Sequence, residues 1–405
     1  LLRVACLATA ALIGLGLVSI TAVKVHESFL LAKAPKDWNA TQLKNIRSRL
    51  SRLPNPNEFT FAVFGDNKNS VGTFNRVIDN LNREKRLAFA IDMGDLVFMG
   101  DNVMYRLYID QLKRLKVPLL TVIGNHDLDP GTTANAKNAR DSNYGSLENS
   151  KNYQKMFGST YYSFTLGTSY FVMLDISDEH MDLTTKQEKY FEDELAWFED
   201  ELQKAQAYEN IFVVSHVPIF KGKRDLVVES GGYVQDKYEK YLQDKDYAVR
   251  IKELALKYKV DAMLASHIHT FDVMIWPRDD IESDPADILV LLVSGAAGAR
   301  LWQTNDVRMM HSYTLVDAKE KGAIGVEIDP LKRPGFRVTR IKNPVESSTY
   351  LYFEKPRVYT YACVANNYYW MMPACSLVFL GLLALYLLSR RRARAVTRPD
   401  GSSEA

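Results

Sequence analysis

The feature that most restricts this chain is a rhythm. Seven short apolar runs, rich in β-branched and aromatic residues, recur at 59–64, 87–93, 117–123, 170–174, 211–215, 260–265 and 288–294. Helical patterns separate several of them: "FNRVIDNLNREK", "VMYRLYIDQLKRL", "KQEKYFEDELAWFEDELQKA" and "YAVRIKELALKY". In the third pattern Phe191, Leu195, Phe198 and Leu202 recur at spacings of three and four, as one buried helix face requires. Thr184 with Gln187 offers a capping box at its start. Strands alternating with helices predict an α/β domain of largely parallel strands packed between helices. After about residue 310, "SYTLVDAKEKGAIGVEID" reads instead as a late antiparallel hairpin. The polar stretch 221–246 reads as an insertion flanking whatever site the domain carries.

The two ends differ from this middle. Residues 4–23 are uncharged and long enough to cross a bilayer core as a helix, and so are residues 368–388. The second run is followed by "SRRRARAVTR", and basic residues beside a span mark the cytoplasmic side. Tyr359, Tyr361, Tyr368, Tyr369 and Trp370 gather at its other end, where amphipathic rings favour the headgroup zone. The C-terminal tail is therefore expected in the cytoplasm and residues 24–367 outside it. The first run reads as an anchor or a signal peptide, and the weak small-residue pattern at "SITAV" favours the uncleaved anchor. The expected division is an anchor or signal at 1–23, a juxtamembrane linker at 24–56 and a catalytic domain at 57–345. An aromatic linker at 346–367, a span at 368–388 and a basic tail at 389–405 complete it.

Composition excludes some functions. The net charge of +2 over 405 residues, with 25% charged, gives no basic surface to the middle of the chain, so nucleic acid is not an expected partner. Cys6, Cys363 and Cys375 lie in or beside the terminal segments, so the domain has neither a disulfide framework nor a thiolate metal site.

The residues just past each apolar run carry the chemistry. The first run ends in Gly65-Asp66, the second in Gly94-Asp95, and the third in Gly124-Asn125-His126-Asp127. The fifth ends in Ser215-His216 and the sixth in Ser266-His267-Ile268-His269. Ligands of open α/β sheets bind beyond the carboxyl ends of the strands, so these residues are expected to converge. A lone aspartate after glycine is ordinary turn chemistry. Here, however, four of the chain's 7 histidines fall at these strand ends. Carboxylates, an amide oxygen and imidazoles without sulfur suit Mn, Fe or Zn, and two divalent ions sharing a bridging carboxylate account for so many donors.

The order GD, GD, GNHD, H and SHxH resembles the calcineurin-like metallophosphoesterases, among them the purple acid phosphatases, over about residues 59–300. The resemblance implies a four-layer αββα sandwich with a dinuclear site at one edge of its two sheets, here flanked by transmembrane helices. Carried over position by position, Asp66 and His269 hold the first metal, Asp95 bridges, and Asn125, His216 and His267 complete the second. His126 contacts the substrate phosphate and stabilises or protonates the leaving oxygen, with Asp127 orienting its ring. "VSGAAGARLW" resembles the family's small-residue loop near the site.

Lys68 departs from the pattern. Most of the superfamily has Asp-x-His in the first motif, and an ammonium has no free lone pair near pH 7. Purple acid phosphatases replace that histidine with a tyrosine three residues after the second motif's aspartate, but here that position is Phe98. Three outcomes remain open: water or substrate completes a weakly bound first ion, another residue such as His180 steps in, or the first position is mostly empty. Lys68 itself reads either as a point charge for substrate phosphate or as a solvated loop lysine.

The function expected is a membrane-anchored, metal-dependent phosphoesterase acting outside the cytoplasm on phosphate mono- or diesters. A metal-activated hydroxide attacks phosphorus in line. Lipid-linked phosphates are among the substrates that anchoring allows. The rival is a catalytically degenerate metal-binding sensor or scaffold at the membrane. The pairing of His126 with Asp127 speaks against it, because a scaffold needs no proton donor.

Overall fold

The computed structural model describes residues 2–32, 36–128, 150–177, 185–219, 246–276, 289–301, 310–318, 336–342, 344 and 350–396. It forms two compact units, one of residues Ala34–Pro356 and one of Leu1–Lys33 with Arg357–Ala405. In chain order the elements begin with α1 (Leu2–Ala32), α2 (Trp38–Leu50), β1 (Phe59–Phe64), α3 (Gly72–Leu81), β2 (Leu87–Asp92), α4 (Asn102–Leu112) and β3 (Leu119–Thr121). Next come α5 (Lys151–Phe157), β4 (Tyr162–Leu166), β5 (Ser169–Met173), α6 (Thr185–Ala205), β6 (Asn210–Val214), α7 (Asp246–Lys257) and β7 (Ala262–Ala265). The last are β8 (Phe271–Trp276), β9 (Leu289–Ser294), β10 (Ser312–Ala318), β11 (Phe336–Arg340), α8 (Lys355–Asn366) and α9 (Tyr368–Val396).

All seven apolar runs contain a strand. They are continuous rather than alternating because both faces of these strands are covered: every residue of β1, β2 and β6 is buried. One sheet has the order β11-β10-β1-β2-β3 and the other β4-β5-β6-β7-β9-β8. The inner strands are parallel, and β10, β11, β4 and β8 add antiparallel edges.

The two sheets face each other across an apolar layer in which Phe61 stacks on Phe89 at 5.2 Å and meets Phe212 edge-on at 5.3 Å. Helices α6 and α7 cover the outer face of the second sheet through Phe198, Leu202 and Ile251. On the first sheet Phe64 packs on Phe74 of α3, and Phe74 on Tyr108 of α4. Helices, sheet, sheet and helices make four layers, the sandwich expected from the sequence. Its parallel strands deliver their carboxyl ends to a common edge.

One expectation needs adjusting. The linker does not occupy all of 24–56. Helix α2 joins the folded unit through buried Ile46 and Leu50, and Asn39 exchanges hydrogen bonds with Thr121 on β3. The strand found beside β10 is Phe336–Arg340, while the second arm expected at 322–329 lies outside the described residues. Strand β8 has no separate signal in the sequence, because "FDVMIW" follows the histidine motif after a single residue. The flanking insertion 221–245, His180 and Thr184 also lie outside the described residues.

In the smaller unit, α1 and α9 each contain a stretch long and apolar enough to cross a membrane, Val4–Leu30 and Tyr368–Leu388. Leu12, Leu15, Val18, Leu377 and Leu385 are exposed on them, a surface suited to lipid rather than water. Within this unit His26 Nδ1 lies 2.6 Å from the Tyr361 hydroxyl.

Candidate metal centre

The loops after β1 and β2 are zipped together by backbone bonds. The Asp66 amide donates to the Gly94 carbonyl at 3.0 Å and the Lys68 amide to the Asp95 carbonyl at 3.0 Å. The small-residue loop after β9 seals this pair from the other sheet. Ala297 N–H donates to the Gly65 carbonyl and Ala299 N–H to that of Asp66. Such tight packing forces unusual backbone. Asp66, Lys68, Asn69, Asp95 and His267 have φ between 47° and 63°, five of the seven non-glycine positive φ values among the described residues. Aspartate and asparagine tolerate this conformation better than other side chains, and strain of this kind collects where side chains must be aimed.

Asp66, Asp95 and His216 place ligand atoms within 4.8 Å of one another, all buried. His216 Nδ1 lies 2.9 Å from the Met93 carbonyl, which only accepts, so Nδ1 carries a hydrogen and Nε2 is the nitrogen turned toward the site. That nitrogen stands 3.1 Å from Asn125 Oδ1, 3.2 Å from His267 Nδ1 and 3.3 Å from Asp95 Oδ1. His267 Nδ1 is 3.2 Å from the same Asn125 oxygen. Atoms that offer electron pairs do not gather in a dry pocket without a positive charge among them. Tetrahedral donors about 2.0–2.1 Å from an ion stand about 3.4 Å apart, so the set fits a divalent cation. Without an ion a proton serves as that positive charge: burial works against the charged form of His216, yet Asp95 raises it to about 9, and a bound cation would displace the proton from Nε2.

The first position differs. His269 Nδ1 donates to the Arg300 carbonyl at 2.5 Å, and its Nε2 lies 3.1 Å from Asp66 Oδ1. Lys68 Nζ stands 2.8 Å from Asp95 Oδ2, 3.3 Å from His269 Nε2 and 3.6 Å from Asp66 Oδ1. Asp95 Oδ2 makes no well-aligned hydrogen bond, and this ammonium is its counter-charge. Burial alone would neutralise the three groups, but the mutual attraction prevails. Lys68 is raised above its ordinary value by Asp95 and then Asp66, Asp66 is lowered chiefly by His269, and Asp95 is held well below the carboxylate range by His216 first and Lys68 second.

His126 lies beside this cluster. Its ring is held by the Phe98 carbonyl, 2.8 Å from Nδ1, and its backbone N–H donates to Asp95 Oδ1. Burial first, then the Lys68 charge, lower it to about 4, so the ring is neutral at pH 7. The orienting role expected of Asp127 belongs to Phe98. The Asp127 carboxylate turns away and accepts the backbone N–H groups of Gly124, Leu96 and Val97 at 2.8–3.3 Å, tying two motif loops together.

Several supporting residues escape a motif reading. Ser266 Oγ sits 2.9 Å from His216 Nδ1. Asn69 accepts from Phe98 N–H and donates to the Met104 carbonyl, fixing the loop that carries Phe98. Asn67 and Tyr108 both donate to Asp92, a carboxyl that burial raises well above its usual range. Their shared signal is polarity in otherwise apolar surroundings, which by itself names no partner.

The model of one family, calcineurin-like phosphoesterase, matches residues 59–271. No curated protein sequence matches the chain. Among solved structures, purple acid phosphatase PPD1 from yellow lupin (Lupinus luteus) seeds is similar at 18% identity and a TM-score of 0.47, over 65% of this chain and 50% of that one. The chain thus spans half the length of the lupin protein. GAP50, the anchor in the inner membrane complex of Plasmodium, is similar at 16% identity and 0.42, over 76% and 95% of the two chains. PhoD is similar at 12% and 0.46, over 77% and 78%. With more than half of the sequence inside the family model, the chain belongs to the calcineurin-like phosphoesterase family.

Proposed function

We propose that this protein is a membrane-tethered, metal-dependent phosphoesterase that cleaves phosphate mono- or diesters on the non-cytoplasmic side. The observation that carries the reading is the convergence of lone pairs from Asp95, Asn125, His216 and His267 in a buried pocket. Bound there, a divalent cation supplies Lewis acidity toward phosphoryl oxygens and activates water for attack. At Asp66, Asp95 and His269 the substrate would meet a second positive charge, from a weakly held ion or from the Lys68 ammonium beside them. Sidedness rests on the arginine-rich run after the second apolar helix. Lipid-linked phosphate esters join soluble ones as candidate substrates because the chain carries its own anchors.

His126 is the proton carrier in this reading. Its Nδ1 hydrogen is committed to the Phe98 carbonyl, so the neutral ring turns an accepting Nε2 outward. Taking a proton from solvent at Nε2, it can deliver that proton to the leaving oxygen, while the attacking water gives up its own to solvent on the opposite face. Replacing it removes that relay while leaving every metal donor in place. His126→Gln is expected to lower kcat about 100-fold or more with unchanged metal content. Equal kcat in variant and wild type would reassign the ring.

The test of the whole reading is hydrolysis of nitrophenyl phosphate and bis(nitrophenyl) phosphate by the purified full chain with Mn²⁺. Activity should vanish with chelator and return with metal. Metal bound without turnover on either ester would support the scaffold reading instead.

A further inference from the structure

Resting on the phosphoesterase reading, we propose that Lys68 itself supplies the positive charge at the first metal position, making this a one-metal enzyme with a built-in ammonium. Its Nζ lies within 3.6 Å of donor atoms from Asp66, Asp95 and His269, which are the three residues assigned to that position. The left-handed backbone at Lys68, φ 47°, and its amide bond to the Asp95 carbonyl fix the direction of the side chain. Only 12% of that side chain is exposed. Its amine occupies the space between two carboxylates and an imidazole where the ion would sit, and a second cation beside that ion pair would be repelled. The position offers three protein donors, and the lysine stands where most of the family supplies another ligand. The donors of the other position contain no lysine and keep their spacing, so that ion is unaffected.

The full chain loaded with Mn²⁺ should contain one ion per chain by elemental analysis and give the electron paramagnetic signal of isolated Mn²⁺. Lys68→His, which restores the family's ligand, should raise the content to two ions and produce the signal of a coupled pair. Lys68→Gln, removing the charge without adding a comparable donor, tests whether charge alone excludes the second ion, and partial uptake there also supports the proposal. Two ions in the wild type, with hydrolysis intact, would overturn the lysine role and leave the phosphoesterase standing. One ion in all three proteins would also overturn it. No ion and no hydrolysis in the wild type would remove both readings.

A separate observation reaches the site from the far end of the folded unit. Glu354 accepts hydrogen bonds from Ser70 Oγ and from the backbone N–H groups of Val71 and Gly72, at 2.8–3.2 Å. Helix α3 begins at Gly72 with no capping side chain of its own, so this carboxylate from the other end of the domain completes it. The next residue, Lys355, is thereby placed with Nζ 3.7 Å from the centre of the Phe98 ring, whose other neighbour is the His126 ring at 5.5 Å. Among the described residues no carboxylate pairs with this ammonium. We infer that Lys355 binds a phosphoryl oxygen of the substrate, so that the site is completed by a residue beyond the matched 59–271.

With inorganic phosphate as the probe, Lys355→Ala in the metal-loaded full chain should weaken binding about tenfold, the lower end for a charge-assisted hydrogen bond. The KM for nitrophenyl phosphate should rise similarly with kcat within about twofold, and Lys355→Arg should recover most of the loss. Glu354→Ala, which keeps the ammonium but removes its tether, should shift KM the same way. Unaltered phosphate affinity in Lys355→Ala would overturn the assignment. Calorimetric titration with phosphate decides it even where no turnover is found, so it fails or stands apart from the phosphoesterase reading.

Discussion

His216→Ala should abolish tight metal binding and, with it, hydrolysis. The Nε2 of this buried ring faces Asn125, His267 and Asp95 at 3.1–3.3 Å, and no neighbouring described side chain can replace it. Loss of a group that merely supports a ligand costs roughly 10–100-fold in affinity or activity. Loss of a donor should exceed that, so a fall of at least about 1,000-fold in kcat/KM is expected. Asp95→Ala should behave alike, because Asp95 also anchors Lys68 and the His126 backbone. Elemental analysis after dialysis, alongside rates on nitrophenyl esters, checks both. Full metal content and a rate within tenfold of the wild type would mean that the imidazole is not a ligand. Circular dichroism separates a lost ion from a lost fold.

The second large effect is on stability. Gly94 has φ +96°, a conformation costly to any side chain, and an added Cβ would lie 2.6 Å from His216 Nδ1 and 2.9 Å from the Gly124 nitrogen. Neither neighbour can retreat. His216 Nδ1 is bonded to the Met93 carbonyl, and Gly124 N–H to Asp127. Strained backbone and overpacking together should destabilise Gly94→Ala by about 2–4 kcal/mol. Because the clash falls on a metal donor, Mn²⁺ affinity should drop with stability. Denaturant unfolding with and without metal measures this. Gly381→Ala, whose Cβ meets nothing within 4 Å, is the control expected to show no loss. Equal midpoints for Gly94→Ala and wild type would contradict this packing.

Much of the architecture is legible in the residues alone. The seven runs became strands because residues such as those of β1 are buried on both faces, and only an unbroken apolar stretch satisfies that. The helix over Phe191 to Leu202 declares itself by its spacing, and those residues fill the layer outside the second sheet. Other parts are hidden for identifiable reasons. Helix α2 looks like linker, since its reasons for folding lie on β3 at Thr121 and in a core assembled from both sheets. Asp127 sits next to His126 in the chain, yet its carboxylate serves amides 30 and 31 residues earlier as well as that of Gly124. Adjacency in sequence says nothing about which way either side chain turns.

Lys68 shows the same limit most sharply. Its chemistry, an ammonium with no lone pair to give a metal unless it loses its proton, is readable from the residue type alone. So are the donors at the strand ends, because a buried strand can place a polar group only where it stops. Whether that ammonium points to water or into the cluster depends on a left-handed backbone angle and on three donors drawn from loops up to 203 residues apart. The approach of Glu354 and Lys355, more than 250 residues beyond the loops they touch, depends likewise on tertiary packing. Residue identity set what each group could do, and the closing of distant loops over one strand edge decided which groups act together.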